Sequence, residues 1–540
     1  MASEYSFSVM PSVSISRSRF NRKSQHKTSF NLGQIIPIYC DEVLPGDTRT
    51  FDMATLVRMS TPIAPIMDNI YMDIYAFFVP NRIVWDHWKE FMGENNVSAG
   101  IPSNTYSIPY VGVYSNPTID TDSYGDYFGL PVGVGVLAQN KVSALPFRGL
   151  AKIYNRWFRN ENVIAPLAVQ TGDTNEVLVG GLSGSNQFVT TSSYVLKASK
   201  LPDYFTKCLP YAQKGTAVSI PLGATAPVTA KVSNGTTMGG TGNLQTSLGT
   251  VALNPSTQNF VFNGVDSTNQ PVSGTGQLIA DLSSATAATI NELRYAFQLQ
   301  KLLEKDALYG TRYWEILAAH FGVTAPDASL QDPEYLGGQR VNINIDQVLS
   351  TAGYANTSST TVGAPGANSV SGWKGSLFTK SFVEHGYIII CAVARHDQTY
   401  CQGINRMWTR QGRYDFYFPV FANLGAQDVK LKEIYAAGTS ADDNVFGYQE
   451  AWAEYRYKPS IATGLLNPNA ANSLDYWTLS NKFAAAPTLG QTFMEQGRDN
   501  IKRALVTGNT GPDFIADFYF QDVAVRPMPV YSIPGLIDHH

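Results

Sequence analysis

Charge is scarce in this sequence: Asp, Glu, Lys and Arg make up 15% of its 540 residues, against about 25% in an ordinary soluble domain. A chain this long with so little charge must either cover its surface with neutral polar groups or hide much of it against partners. The formal net charge of −4 excludes an overall basic field that would recruit nucleic acid, so any such contact has to be local. Cysteine is scarcer still. Cys40, Cys208, Cys391 and Cys401 are too few and too scattered for a disulfide framework, and a reducing compartment fits better. No long apolar run is present either. Ile388 to Ala394 is far too short to span a bilayer, and the first thirty residues lack an apolar run followed by a cleavage site. These absences predict a protein of cytosolic origin with no membrane insertion.

Aromatic rings, by contrast, are plentiful, at 12% of residues with 29 tyrosines, and tyrosine and tryptophan are side chains that interfaces favour. The length allows three or four domains, although an all-β chain with long insertions can stay single. In Asn69 to Gly93, residues Ile70, Met72, Ile74, Ala76 and Phe78 alternate with Tyr71, Asp73, Tyr75, Phe77 and Val79. That period predicts a strand with one apolar face and a second, aromatic face that meets more protein rather than water. Pro80-Asn81 ends it. Tyr387 to Ala394 reads as a strand buried on both faces.

Two helices are well marked. In the first, over 146–159, Leu150, Ile153, Tyr154 and Trp157 recur at helical spacing while Arg148, Lys152 and Arg156 lie four apart on another face. That cationic stripe suits nucleic acid or an acidic neighbour, and equally a solvated basic face. The second begins with a capping box, Thr289-Ile-Asn-Glu292, and keeps Leu293, Ala296, Phe297, Leu303 and Ala307 on one side up to Gly310.

Local cationic segments are the places where DNA could bind. Residues 5–40 hold Arg17, Arg19, Arg22, Lys23 and Lys27 and no acidic residue. Such a basic arm suits phosphates, and it suits a solvated tail or a place on a neighbouring subunit as well. Between Arg395 and Pro419, residues Arg406, Arg410 and Arg413 interleave with Trp408, Tyr414, Phe416 and Tyr417. Bases stack on such rings while guanidinium groups hold phosphates, and the same pattern suits a surface between subunits.

Chemistry is poorly supported. Asp120, Asp122 and Asp126 open like a calcium loop, but no oxygen ligand stands at the fifth position and Pro131 occupies the place of the closing glutamate. The Gly133, Gly135, Ala138 pattern imitates a dinucleotide fingerprint without the strand and helix alternation that fold requires. His385, Cys391, His396 and Cys401 have separations of six, five and five, which match no zinc spacing. His396-Asp397 lacks a nucleophile elbow, and no carboxylate pair or P-loop is evident. The expectation is a protein without catalytic residues or cofactor. Residues 215–288 are dominated by Thr, Ser, Gly, Ala, Asn and Val, with Lys231, Asp266 and Asp281 as their charges. Too poor in large apolar groups to form a core alone, this insertion is either stabilised against copies of itself or disordered.

Longer phrases carry a family resemblance. Tyr71 to Arg82, Pro146-Phe147-Arg148 with Asn155 to Arg159, Arg413 to Tyr417, Phe446 to Pro459 and Pro527 to Leu536 resemble the major capsid proteins of gokushoviruses, small tailless single-stranded DNA phages of the Microviridae. The resemblance covers most of the chain outside 215–288 and 350–371. It implies a mainly β protein: an eight-stranded antiparallel jelly roll with long loop insertions and a few helices. It implies a homo-oligomer as well, sixty copies closing through pentamer intermediates into a T=1 icosahedron around circular single-stranded DNA, assembled in the bacterial host cytoplasm and residing in the virion. Expected partners are an internal scaffolding protein, a minor pilot protein, a small basic DNA-condensing protein and a host surface receptor. The insertion over 215–288 is expected to form a three-fold protrusion, with Gly223 to Gly276 as the region that meets the host. The corresponding division is a basic arm over 1–40, core over 41–214, the insertion over 215–288 and core again over 289–540. Two other readings are a β-rich surface adhesin or carbohydrate-binding protein, which the insertion suits and the missing secretion signal does not, and a glycoside hydrolase on a β scaffold.

Overall fold

The computed structural model describes residues 15–94, 106–113, 116–175, 187–216, 218, 290–309, 312–324, 326–327, 329–349, 351, 363, 365–508 and 510–531, together with the backbone of 228–232, 260–265 and 271–280. The chain divides into two compact units, residues 213–306 and the remainder.

In the larger unit eight strands dominate: β1 (Ser18–Phe30), β2 (Ile35–Val43), β3 (Thr48–Met59), β4 (Ile70–Pro80), β5 (Glu334–Ile343), β6 (Val370–Ser381), β7 (Gly386–His396) and β8 (Phe514–Arg526). They form two antiparallel four-stranded sheets, in the orders β1-β8-β3-β6 and β2-β7-β4-β5. The sheets face each other. Tyr39 of β2 lies 4.9 Å from the Phe51 ring of β3 and 5.1 Å from Phe520 of β8, and inward side chains of both sheets share one core. Each fully buried Ile or Phe there contributes about 1.5–3 kcal/mol.

Local sequence explains the edges. Pro37 cannot donate to a ladder, and β2 is an edge strand in which the register with β7 shifts between Ile390 and Cys391, opposite Pro37. Gly33, in the turn from β1 to β2, has φ +81° and a Cβ there would sit 2.0 Å from the Gln496 carbonyl oxygen, so both its conformation and its space require glycine.

The two sheets differ in their outer faces. Along β8, Phe514, Ala516, Phe518, Phe520, Asp522 and Ala524 point inward while the residues between them reach the surface. Every residue of β7 except Arg395 is buried. The outer side of β4 and β7 is covered by helix α1 (Leu145–Ile153), which starts on Pro146 in its first turn and continues as a π-turn over Tyr154–Phe158. Helix and sheet meet closely at Gly149, where a Cβ would lie 3.3 Å from Val79 and 3.4 Å from Ile389. The aromatic outer face expected of the 70–79 strand accordingly meets protein: Tyr75 and Phe77 pack on Phe158 at 5.4 and 6.1 Å.

The mainly β, antiparallel expectation holds. Strands are more numerous than eight, with short pairs at Asp346–Leu349 and Pro365–Asn368, Thr399–Tyr400 and Ser460–Ile461, and Ala426–Lys430 and Val445–Glu450. A second, smaller core gathers Tyr204, Phe205, Tyr400, Val429, Ile434 and Phe446. In the smaller unit, Pro271–Ala280 is the central strand between Val228–Val232 and Phe260–Val265. Helix α2 (Ile290–Leu308) follows. Its stripe of less exposed positions runs through Leu293, Ala296, Leu303 and Ala307, but Phe297 is 64% exposed, against expectation. Thr289 of the expected capping box lies outside the described residues, as does most of Gly223 to Gly276.

Candidate nucleic-acid and assembly surfaces

The outer face of the β1-β8-β3-β6 sheet is solvent-exposed and basic. Alternation along β1 puts Arg19, Lys23 and Lys27 outward, four residues apart and so about 13 Å from one to the next. Arg58 of β3 and Lys374 of β6 are exposed on the same face. Its acids are Asp517, opposite Lys27, and Asp52, opposite Gln521. Arg17, just before β1, is also exposed. The expected basic arm is therefore in large part a strand of the core sheet, fixed by its pairing with β8 from Ser18 to Phe30.

Arg22 faces the other way and has to be removed from the DNA-contact candidates. Its guanidinium forms a bidentate pair with Asp41, at 2.5 and 2.9 Å, and this hydrogen bond, partly opposed by burial, raises its pKa. The pair belongs to a network missed in the sequence. Fully buried Arg49 contacts Asp41, Asp47 (3.6 Å) and Asp522 (2.9 Å), and Arg526 bonds Asp47 at 3.0 Å. Burial works against the Asp41 charge, but Arg22 and Arg49 together outweigh it and hold the carboxyl below its ordinary range. A signal existed, since Asp522 stands at an inward position of a strand whose other inward residues are Phe and Ala.

The basic stripe on α1 is neither solvated nor available. Arg148 is 1% exposed and donates to the carbonyls of Val84 (3.2 Å), Gly172 (3.0 Å) and Thr174 (3.0 Å). Burial pushes its pKa down to about 10. Arg156 lies between the Trp157 and Trp314 rings and bridges Asp327 and Asp332, at 2.9 and 3.1 Å. Lys152 is half-buried, and burial lowers its pKa. An isolated helix reads as having a free cationic side; the tertiary fold covers it with loops.

In the aromatic segment, Arg406 donates to the Asp428 carbonyl at 2.7 Å and approaches Glu433 at 3.5 Å. Arg410 is engaged by Glu454 at 2.8 Å and lies over Tyr455. Only Arg413 of the three is exposed, beside Phe418. The rings around them are open to solvent, Trp408 and Tyr414 each at 73%.

The chemical motifs separate in space. Asp126 accepts a hydrogen bond from the Asp122 backbone N–H at 2.8 Å and donates its own N–H to Ser123, so the calcium-like segment is a turn into a helical turn at Tyr124–Tyr127. Among the described residues no group of three Asp, Glu, His or Cys side chains is placed to hold a metal ion. His396 bonds the Asp397 carbonyl at 2.6 Å, while the Asp397 carboxylate accepts from Tyr71 at 2.9 Å, so the two do not form a triad pair. All four cysteines are free. Among the described residues no helix is long and apolar enough to cross a membrane.

Comparison with known proteins points one way. Residues 8–536 match the family described as capsid protein (F protein). The chain is 41% identical over 551 residues to capsid protein VP1 of Bdellovibrio phage phiMH2K, covering 98% of both chains. It is 38% identical to VP1 of Chlamydia phage 1, covering 98% of this chain and 97% of that one, and 36% identical to VP1 of Spiroplasma virus 4, with the same coverage.

Proposed function

The chain belongs to the F-protein capsid family, among the capsid proteins of gokushoviruses, and from that premise we propose that it builds a T=1 icosahedral shell of sixty copies around a circular single-stranded DNA genome. Membership itself makes it a structural virion component that self-assembles, not an enzyme. The observation that carries the proposal is the near-complete overlap with three capsid proteins. The strand orders β1-β8-β3-β6 and β2-β7-β4-β5 support reading the two sheets as an eight-stranded jelly roll, since each sheet alternates strands from the two ends of the chain.

The genome-facing surface in this proposal is the outer face of β1-β8-β3-β6, with Arg17, Arg19, Lys23 and Lys27 meeting phosphates and Arg58 and Lys374 extending the field. Scaffolding, pilot and DNA-condensing proteins would complete assembly in the bacterial cytoplasm. Residues 223–276, in the smaller unit, are assigned to host attachment by the same reading. Negative-stain microscopy of purified particles should show uniform spheres, and a monodisperse monomer that never assembles would overturn it. Neutralising Arg17, Arg19, Lys23 and Lys27 together should reduce packaged DNA more than shell number; equal loss of both would remove the DNA role. Deleting 223–276 should leave folding intact and impair adsorption, and normal adsorption would refute that assignment.

A further inference from the structure

We propose that the exposed aromatic surface over residues 404–424, closed by Tyr455, is a contact face for a second copy of this chain. The inference rests on the capsid reading and adds the place of contact. The segment has no long helix or strand, only turns at Arg406–Thr409, Arg413–Asp415 and Pro419–Phe421. It is held from below by rings. Trp452, 6% exposed, packs on Tyr417 at 5.7 Å and Phe421 at 6.4 Å and donates its indole N–H to the Phe421 carbonyl at 3.1 Å. On this fixed base stand Met407, Trp408, Tyr414, Phe416, Val420 and Leu424, each between 51% and 89% exposed. Large apolar side chains exposed together in one short segment, with Tyr414 against Phe421 and Phe416 under Arg410, mark a protein contact, and Trp and Tyr are the residues that carry most binding energy at such contacts.

Charge decides between a protein and DNA. Arg406 and Arg410 are engaged by Glu433 and Glu454 within the subunit, which leaves Arg413 as the exposed guanidinium of the three. Beside it stands exposed Asp415, whose carboxyl accepts the backbone N–H groups of Gln411 and Gly412 at 2.9 and 2.8 Å and so remains a fixed negative charge. Arg413 and Asp415 side by side match another copy of this protein, in which each sign finds its opposite, whereas a polyphosphate would meet Asp415 unfavourably. Val420 and Leu424 offer no ring on which a base could stack.

The test places Trp408→Ser with Tyr414→Ser, and separately Val420→Asp, in the full chain expressed with the rest of its phage genome, and counts closed particles by sedimentation. Each variant should yield at least ten-fold fewer particles, with soluble subunits whose circular dichroism matches the parent. Val420 is 89% exposed, so its substitution probes the surface even where the double variant fails to fold. Parental particle numbers would overturn the proposal, as would parental numbers of particles lacking DNA, which would assign the surface to nucleic acid. Failure of the parent chain itself to form particles would overturn the capsid reading instead.

Discussion

The two facing sheets draw on similar residues and share one core, but only β1-β8-β3-β6 leaves the outer side of its central strands in solvent. Its strand β8 alternates buried and accessible residues, whereas β7 of the other sheet is buried at every position but Arg395. The difference lies outside the strands themselves: α1 and the π-turn after it lie on β4 and β7, and nothing described lies on β8. Charge follows from this. The open face carries cations at regular spacing that have no ion-pair partner among the described residues, while on the covered sheet Asp73 is held by partners, accepting from Arg340 at 2.6 Å and Arg395 at 2.5 Å.

The contrast can be broken most directly by cavity formation. Phe77→Ala, in the covered face, should cost about 3–5 kcal/mol, and Ile515→Ser, 54% exposed on the open face, less than about 0.5 kcal/mol; denaturant unfolding of the subunit measures both, and similar costs would abolish the distinction.

Next in size is an effect of pH. Burial, with the fields of Lys200 and Arg503, lowers the His396 pKa from 6.5 to about 4 at the end of β7. The unfolded chain therefore binds the proton first, so the His396 contribution to stability is constant above pH 6.5 and falls as pH drops from 6.5 to about 4, by about 3 kcal/mol. Unfolding followed across that window should depend less on pH in His396→Gln, with the burial-lowered His26 still contributing.

A smaller loss, about 2 kcal/mol, is expected for Arg148→Met, which leaves the carbonyls of Val84, Gly172 and Thr174 without their donor. Its binding to single-stranded DNA should keep the parental salt dependence, and a changed dependence would return Arg148 to the DNA surface. Lys23→Gln should do the reverse: stability within about 0.5 kcal/mol, and a salt slope reduced by about 0.7–1.

Much of this was legible in the chain. Alternation at 70–79 and the apolar run at 387–394 locate two core strands, because side chains on a strand have a period of two. The long phrases around Arg82, Trp157 and Trp452 carry the gokushovirus resemblance, which the full-length matches bear out. The cationic sites were less legible. Arg148, Lys152 and Arg156 have the spacing of a helix face in any context, and nothing in that spacing records the loops at 172–174 and 327–332 that cover it.

Sequence alone determined where the 70–79 and 387–394 strands and two helices run, how little charge the chain holds and which family it joins, since each depends on neighbours along the chain. The fate of each cation was decided only in three dimensions. Arg22 meets Asp41 and Asp522, and Arg156 meets Asp327, while Lys23, one residue from Arg22, stays in solvent. Whether a charge is free depends on which distant carboxylate or carbonyl the fold brings within a few ångströms, and local periodicity carries no record of that distance.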